Sequence, residues 1–166
     1  FTELVLALGS RMLIAGGKAE DVVSAEAMLR QSIQNGNALK KLEAFVKAQG
    51  GTGEEVLHPE KLPAASMQIK VSSPQNGYIS HIQCDEIGVC SLILGGGRET
   101  KDSVIDLSVG LELKKKVGDY VEKGETLAVL HANEQEKAEQ AEERFLRAYR
   151  FSETQTPKRS MIFGEI

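Results

Sequence analysis

The chain has 166 residues, of which 41% are hydrophobic and 27% charged, and its formal net charge is -4. This composition is typical of a folded globular protein, and the scattered lysines and arginines offer no basic surface for nucleic acid. Because no apolar run approaches the roughly 20 residues of a membrane helix and the N-terminus lacks the basic region of a secretion signal, we expect a cytoplasmic protein with no membrane partner.

Three short helices are predicted in the first third of the chain. Apolar residues recur at helical spacing from residue 2 to about residue 15, where two glycines allow the chain to leave the helix. In the second helix we expect Ser24 to cap the N-terminus and Gly36 to follow the C-terminus. Asn37 is the predicted N-cap of the third helix. Four apolar residues of that helix are expected to form a buried stripe: Leu39, Leu42, Phe45 and Val46.

A mainly β region is predicted beyond a polar segment at 51–66, whose Pro59 and Pro63 indicate a linker. Beyond the linker, β-branched residues become frequent and apolar residues alternate with period two. These patterns predict strands at 69–71, 78–82, 104–107, 109–113 and 126–130. A closing helix is predicted at 135–150, because its acids are concentrated early and its arginines late, as the helix dipole favours.

Two glycines, Gly118 and Gly124, mark tight turns that require positive φ. Between them, Asp119 is expected to accept backbone hydrogen bonds. Three apolar side chains of this segment should face the interior: Val117, Val121 and Leu127. The pattern K-x-G-D-x-V-x-K-G-E-x-L is similar to a half-repeat of biotinyl- and lipoyl-type barrel-sandwich domains, and a second half would begin at 73–79, where an Asn-Gly pair introduces a strand.

A longer set of motifs resembles one protein family. The motifs lie at 77–79, 87–88, 94–98, 101–102, 104–106, 109–110, 115–127 and 131–133. In this order and spacing they resemble the C-terminal domain of pyrimidine-nucleoside and thymidine phosphorylases. The first helix is similar to the family's T-E-L-x-L-x-L-G-S-x-M segment, and the tail near 162–166 is similar to the family's C-terminus. One departure is Gly96, where the family more often has alanine.

This resemblance implies an α+β fold in three parts. Residues 1–50 would be a helical segment of the family's large α/β domain, and residues 51–66 a linker. Residues 67–166 would form the barrel-sandwich-like C-terminal domain with its closing helix and tail. The sequence opens without a methionine, so we expect the chain to be part of a longer parent protein.

The resemblance also implies the chemistry of that parent, which is reversible phosphorolysis. Inorganic phosphate attacks the anomeric carbon of uridine, thymidine or deoxyuridine, giving the free base and a pentose 1-phosphate. In the family the phosphate loop, the catalytic histidine and the pyrimidine-binding residues lie in the N-terminal half, and a monovalent-cation site lies just upstream of Thr2. We therefore expect no catalytic, substrate-binding, cofactor or metal residues in this chain, and no activity of the chain alone. Its expected partner is the N-terminal part of the parent, which would be a homodimer.

Two groups of residues suggest other functions. The glycines before Arg98 could cradle a phosphate, but a tight bend is favoured, with Arg98 paired to a carboxylate such as Asp102. Alternatively, the chain could be a stand-alone carrier module that bears biotin or lipoate on a lysine. Lys70 lies nearest to such a motif, but it precedes the first half-repeat, whereas a carrier lysine lies between the halves.

Histidines and cysteines offer two further candidate sites. His81, Cys84 and Cys90 could contribute to a metal site, but structural zinc needs four ligands and a fourth is not evident. Both cysteines are expected to be buried free thiols. His131 lies at a predicted strand end with no nucleophile near it in the sequence, so a catalytic role is not favoured.

Overall fold

The computed structural model describes residues 1–98, 100–158 and 160–164. The chain divides into two compact units: a helical unit of Phe1–Leu62 joined by the tail from Ser160, and a mixed unit that begins at Pro63. The tail therefore differs from its predicted assignment to the domain 67–166, and its last two residues lie outside the described ones. Within the described residues, no helix is both long and apolar enough to cross a membrane.

The helical unit contains the three predicted helices and two short turns. These elements are α1 (Thr2–Ala15), α2 (Val22–Gln34), α3 (Asn37–Ala48), α4 (Glu54–Leu57) and a 3-10 turn at Pro59–Lys61. Glycines with positive φ follow the first three helices, namely Gly17 at +64°, Gly36 at +78° and Gly50 at +91°. The predicted glycine stops are thus confirmed, because glycine adopts the left-handed conformation without steric cost.

The N-caps of α2 and α3 differ from the predicted ones. Asp21, not Ser24, caps α2: its carboxylate accepts from the Ser24 backbone N–H at 2.7 Å, and the Ser24 hydroxyl accepts from the Asp21 N–H at 3.4 Å. This reciprocal pair is a capping box with Ser24 at the third helical position. The N-cap of α3 is Gly36, and Asn37 is already helical. Asn37 does not cap α3, because it is the first helical residue and the N-cap is the residue before it.

The core of the helical unit is small. Leu6 and Ala25 are its buried apolar residues, and α1 approaches α2 so closely that a Cβ added to Gly9 would lie 2.8 Å from Leu29 Cδ1. In α3 no residue is buried. The predicted buried stripe of α3 is therefore wrong for this chain, because the described residues provide nothing that covers it.

The mixed unit contains six strands and two helices in the described residues. They are β1 (Met67–Ser72), β2 (Gly77–Ile82), α5 (Cys84–Ser91), β3 (Gly110–Leu113), β4 (Tyr120–Val121), β5 (Thr126–Ala132), α6 (Gln135–Ala148) and β6 (Tyr149–Ser152). The strands form two antiparallel sheets, ordered β1-β5-β3 and β4-β2-β6. The α+β class is confirmed, with two small sheets instead of a closed barrel.

Three segments of the mixed unit differ from the sequence prediction. Residues 104–107 form no strand, and α5 with the π-helical turn at Leu92–Gly96 was not predicted. The closing helix ends at Ala148, two residues earlier than predicted, because Tyr149 and Arg150 pair with β2 as the start of β6. The prediction of a strand at 104–107 was wrong because Asp106 forms a turn with Ser108.

The core of the mixed unit lies among the two sheets, α5 and α6. Its largest fully buried side chains include Phe145, Ile79, Leu127 and Leu130. The predicted interior residues are confirmed, since Val121 and Leu127 are fully buried and Val117 packs against the same cluster. The prediction for the cysteines holds for only one thiol: Cys90 is buried against α6, whereas Cys84 is exposed at the start of α5.

Candidate functional site

A hydrogen-bond network around Asp106 and Asn133 holds the long loop that precedes β3. Asp106 Oδ1 accepts from the Ser108 backbone N–H at 2.9 Å and from its hydroxyl at 2.6 Å. Asn133 Nδ2 donates to Asp106 Oδ2 at 2.8 Å and to Ser108 Oγ at 2.9 Å, while Asn133 Oδ1 accepts from the Ser66 N–H at 2.8 Å. Asn133 thus joins the start of β1, the end of β5 and this loop.

The same network fixes the charge state of Asp106. The Ser108 hydroxyl, the Ser108 backbone N–H and the Asn133 amide lower the pKa of its carboxyl from the ordinary 3.8. Both carboxylate oxygens accept hydrogen bonds from the protein, so Asp106 holds this loop in place. Sequence reasoning missed this role of Asn133, although Asp106 and Asn133 both belong to the family-like motifs.

The glycine run at 95–97 is a tight bend. Gly95 has φ +104°, and its carbonyl accepts from the Asp106 N–H at 3.0 Å. A Cβ on Gly96 would lie 2.8 Å from Ser91 Oγ, and one on Gly97 would lie 2.9 Å from Leu92 Cδ1. These glycines are therefore required for close packing against the preceding helix. The expected ion pair of Arg98 with Asp102 is absent from the described part of the chain.

The turns at Gly118 and Gly124 connect the two predicted half-repeats. Gly118 has φ +90° and Gly124 has φ +87°. Asp119 Oδ2 accepts from the Lys116 N–H at 2.8 Å, which confirms its predicted role in the turn. Backbone bonds join the halves directly, with Gly118 N donating to Ile79 O at 2.8 Å and Gly124 N to Ser73 O at 2.8 Å.

The part of the tail at 156–158, which belongs to the mixed unit, crosses the first of these turns. Lys158 Nζ lies 2.7 Å from Asp119 Oδ1. Lys158 and the Lys116 backbone N–H lower the pKa of the Asp119 carboxyl below its ordinary value. The tail backbone runs so close to the turn that a Cβ on Gly118 would lie 3.1 Å from Thr156 O. Both the positive φ of Gly118 and the nearby backbone of Thr156 therefore disfavour a side chain at this position.

The candidate metal and catalytic residues do not converge. His81 is exposed on β2, Cys84 is exposed at the start of α5, and the Cys90 thiol is buried near Ala141 O. Burial raises the pKa of the Cys90 thiol, which keeps it protonated and unreactive. Among the described residues no group of three His, Cys, Asp or Glu side chains is suited to hold a metal ion.

The remaining candidates, His131 and Lys70, lie within paired strands. His131 of β5 pairs with Gln68 and Gly110, and Lys70 of β1 pairs with Val129. A carrier lysine is presented at the tip of a hairpin, where its prosthetic group can move between sites. Lys70 lies in the middle of a strand, so its position does not support a swinging arm.

Exposed apolar side chains are frequent on the three longer helices of the helical unit, and together we call them the apolar helical surface. On α1 it includes Leu8 and Met12, which are 59% and 74% exposed. On α3, Phe45 is 60% exposed. Its other members are Val5, Val22, Val23, Met28, Ile33, Leu39 and Leu42. An apolar surface of this kind is typical of a buried interface.

Comparisons with known proteins give a consistent result. Residues 78–152 match the family model described as "Pyrimidine nucleoside phosphorylase C-terminal domain". The chain is 47% identical over 135 residues to the pyrimidine-nucleoside phosphorylases of Staphylococcus aureus strains USA300 and NCTC 8325. Each alignment covers 81% of this chain and 31% of the relative, so the chain spans about a third of the length of these proteins. Residues 78–152 thus match the pyrimidine nucleoside phosphorylase C-terminal domain, and the similarity to these enzymes extends over most of the chain.

Proposed function

We propose that this chain is the C-terminal part of a pyrimidine-nucleoside phosphorylase. The observation that supports this most strongly is the 47% identity over 135 residues, which extends beyond the matched domain into the helical unit. The parent would transfer a pentose from a pyrimidine nucleoside to inorganic phosphate. The released base leaves as an anion that positive groups of the parent stabilise by electrostatic preorganisation.

We propose that the chain itself helps to shape the substrate-binding cleft of the parent and supplies no catalytic group. This part of the proposal is supported by Asp106, whose oxygens already accept hydrogen bonds from the protein, and by Cys90, whose thiol is buried. The phosphate loop, catalytic histidine and pyrimidine-binding residues would come from the N-terminal part of the parent, which is the partner we propose.

We further propose that the apolar helical surface packs against that N-terminal part. The relatives are about three times longer than the aligned segment, so they contain enough additional chain to cover the surface. Burying a phenylalanine or leucine side chain contributes roughly 1.5–3 kcal/mol, and this surface includes one phenylalanine and three leucines. Coverage by the parent would explain why α3 is amphipathic yet has no buried residue in this chain.

Other properties of the parent follow as proposals from the family resemblance. The parent would be a cytoplasmic homodimer that uses inorganic phosphate as co-substrate. A monovalent cation would bind upstream of Thr2, outside this chain. Light scattering of the full-length parent, and its activity with and without potassium, would test the dimer and the cation.

A fusion protein tests the central proposal. The chain would replace the homologous C-terminal third of the Staphylococcus aureus enzyme, and phosphate-dependent release of uracil or thymine would be measured. We expect the fusion to be active and the isolated chain to be inactive at equal concentration. The matched control is the same fusion truncated before residue 63, which lacks the mixed unit and should lose activity.

Two outcomes would contradict the proposal. A fusion that is folded by circular dichroism yet inactive, beside an active parental enzyme, would show that this chain does not complete a phosphorylase. Release of base by the isolated chain would show that the chain carries its own catalytic groups.

A further inference from the structure

Two Asn-Gly pairs, Asn35-Gly36 and Asn76-Gly77, provide the chemistry of spontaneous deamidation. The backbone nitrogen of the glycine, after losing its proton to a base in solution, attacks Cγ of the asparagine. A C–N bond forms, the side-chain nitrogen takes up protons and leaves as ammonia, and a cyclic imide remains. Water then opens the imide to aspartate or isoaspartate. Glycine favours the reaction because it has no Cβ to obstruct the approach.

We propose that Asn35 is a site of spontaneous deamidation and that strand pairing protects Asn76 from the same reaction. The two sites have the same local sequence, so their difference depends on the fold. Two structural features decide the rate: the cost of freeing the glycine nitrogen and the polarisation of the asparagine carbonyl.

Asn35 lies in the open turn between α2 and α3. It is exposed, and a Cβ built on Gly36 would meet no atom within 4 Å. The Gly36 N–H donates only a long hydrogen bond of 3.3 Å to Ile33 O, so little is lost when this nitrogen reacts. The Asn37 N–H donates to Asn35 Oδ1 at 3.0 Å. That bond polarises the side-chain carbonyl and stabilises the negative charge that develops on its oxygen during the attack.

Asn76 has a comparable polarising donor but a constrained glycine. The Lys123 N–H donates to Asn76 Oδ1 at 2.6 Å. Gly77 is buried at the start of β2, pairs with Val121 of β4, and lies so near β6 that an added Cβ would be 3.0 Å from Ser152 O. Closing the imide would draw Gly77 out of this strand and remove its N–H. The reaction therefore requires local opening of the sheet, which lowers its rate.

Deamidation at Asn35 would change the turn in two ways. It places a negative charge at the C-terminus of α2, where the helix dipole disfavours it. The isoaspartate product also adds a methylene to the backbone, which lengthens the connection that Gly36 makes between α2 and α3. The modification therefore acts on the spacing of two helices that carry the apolar helical surface.

The test compares both sites in folded and unfolded protein. The intact chain is incubated at mildly alkaline pH in buffer and in denaturant, and the peptides containing Asn35 and Asn76 are quantified by mass spectrometry. In denaturant both sites should convert at similar rates. In buffer Asn35 should keep most of that rate, while Asn76 should convert several-fold more slowly. Asn35→Gln serves as the control, because its longer side chain forms the imide much more slowly.

The competing outcomes are distinct. Equal conversion of Asn35 and Asn76 in the folded chain would show that strand pairing gives no protection. An Asn35 peptide that stays unmodified in buffer yet converts in denaturant would show that the α2–α3 turn is closed to the reaction. Labelling of the new product by an isoaspartyl methyltransferase provides a second measurement of the same conversion.

Discussion

Gly118 and Gly124 offer a matched pair of substitutions. Both residues have positive φ, so alanine at either position costs roughly 1–2 kcal/mol in backbone conformation. Gly124 has open space, whereas a Cβ on Gly118 would also lie 3.1 Å from Thr156 O and 3.2 Å from Lys158 Cα. We predict that Gly118→Ala lowers the free energy of unfolding more than Gly124→Ala, as measured by denaturant titration. Equal losses would show that residues 156–158 do not constrain the turn.

The network at Asp106 predicts a pH effect on stability. Because the pKa of Asp106 is lowered in the folded state, the unfolded state binds the proton more readily. The network therefore stabilises the fold above the ordinary pKa of 3.8, and this contribution is lost as the pH falls through the folded pKa. Ser108→Ala removes the hydroxyl that lowers this pKa most. We expect the pKa of Asp106, measured by carboxyl NMR titration, to rise towards its ordinary value.

Ser103→Ala is the control for that titration. Ser103 lies in the same loop, but its hydroxyl contacts Thr100 and not Asp106. It should leave the pKa of Asp106 unchanged. If both variants shift it equally, the loop as a whole and not the Ser108 hydroxyl determines the charge state.

Helices α6 and α3 each carry a phenylalanine, and the two helices differ sharply in how they are packed. Phe145 of α6 is fully buried and stacks on Tyr149 with ring centroids 4.7 Å apart, whereas Phe45 of α3 is 60% exposed. In the isolated chain we predict that Phe145→Ala lowers the free energy of unfolding by about 3–5 kcal/mol. Phe45→Ala should change it by less than about 0.5 kcal/mol. Thermal and denaturant unfolding followed by circular dichroism would measure both.

The predictability of each element from sequence depends on which interactions form it. Helices α1–α3 were predicted because their periodicity and glycine stops are local signals, and the turn at Asp119 was predicted for the same reason. In contrast, β6 exists because Tyr149 and Arg150 pair with β2, a contact distant in sequence. The prediction of a strand at 104–107 was wrong because Asp106 accepts hydrogen bonds from the Ser108 N–H and hydroxyl. The alternation of apolar residues does not reveal these bonds.

The candidate site followed the same rule. The missing motifs predict no catalytic or metal-binding group in this chain, which stays a prediction. The network of Asn133 was not predicted, because it joins the side chains of Asp106 and Ser108 and the backbone N–H of Ser66, which are distant from Asn133 in sequence. The buried stripe of α3 was inferred correctly as an amphipathic pattern but wrongly as buried. A sequence specifies which face of a helix is apolar, and the surrounding chain decides whether that face is covered.

At the scale of the whole molecule, Phe45 should be buried in the proposed parent, so Phe45→Ala should lower the free energy of unfolding there although it does not in the isolated chain. In the isolated chain this side chain is mostly exposed, so its removal leaves stability nearly unchanged. In the fusion with the N-terminal part of the Staphylococcus aureus enzyme, the same side chain would lie in an interface, and Phe45→Ala should cost about 3–5 kcal/mol. The control is Phe145→Ala, whose cost should be similar in both proteins because its neighbours lie within this chain. If Phe45→Ala stays neutral in an active fusion, the apolar helical surface does not contact the N-terminal part.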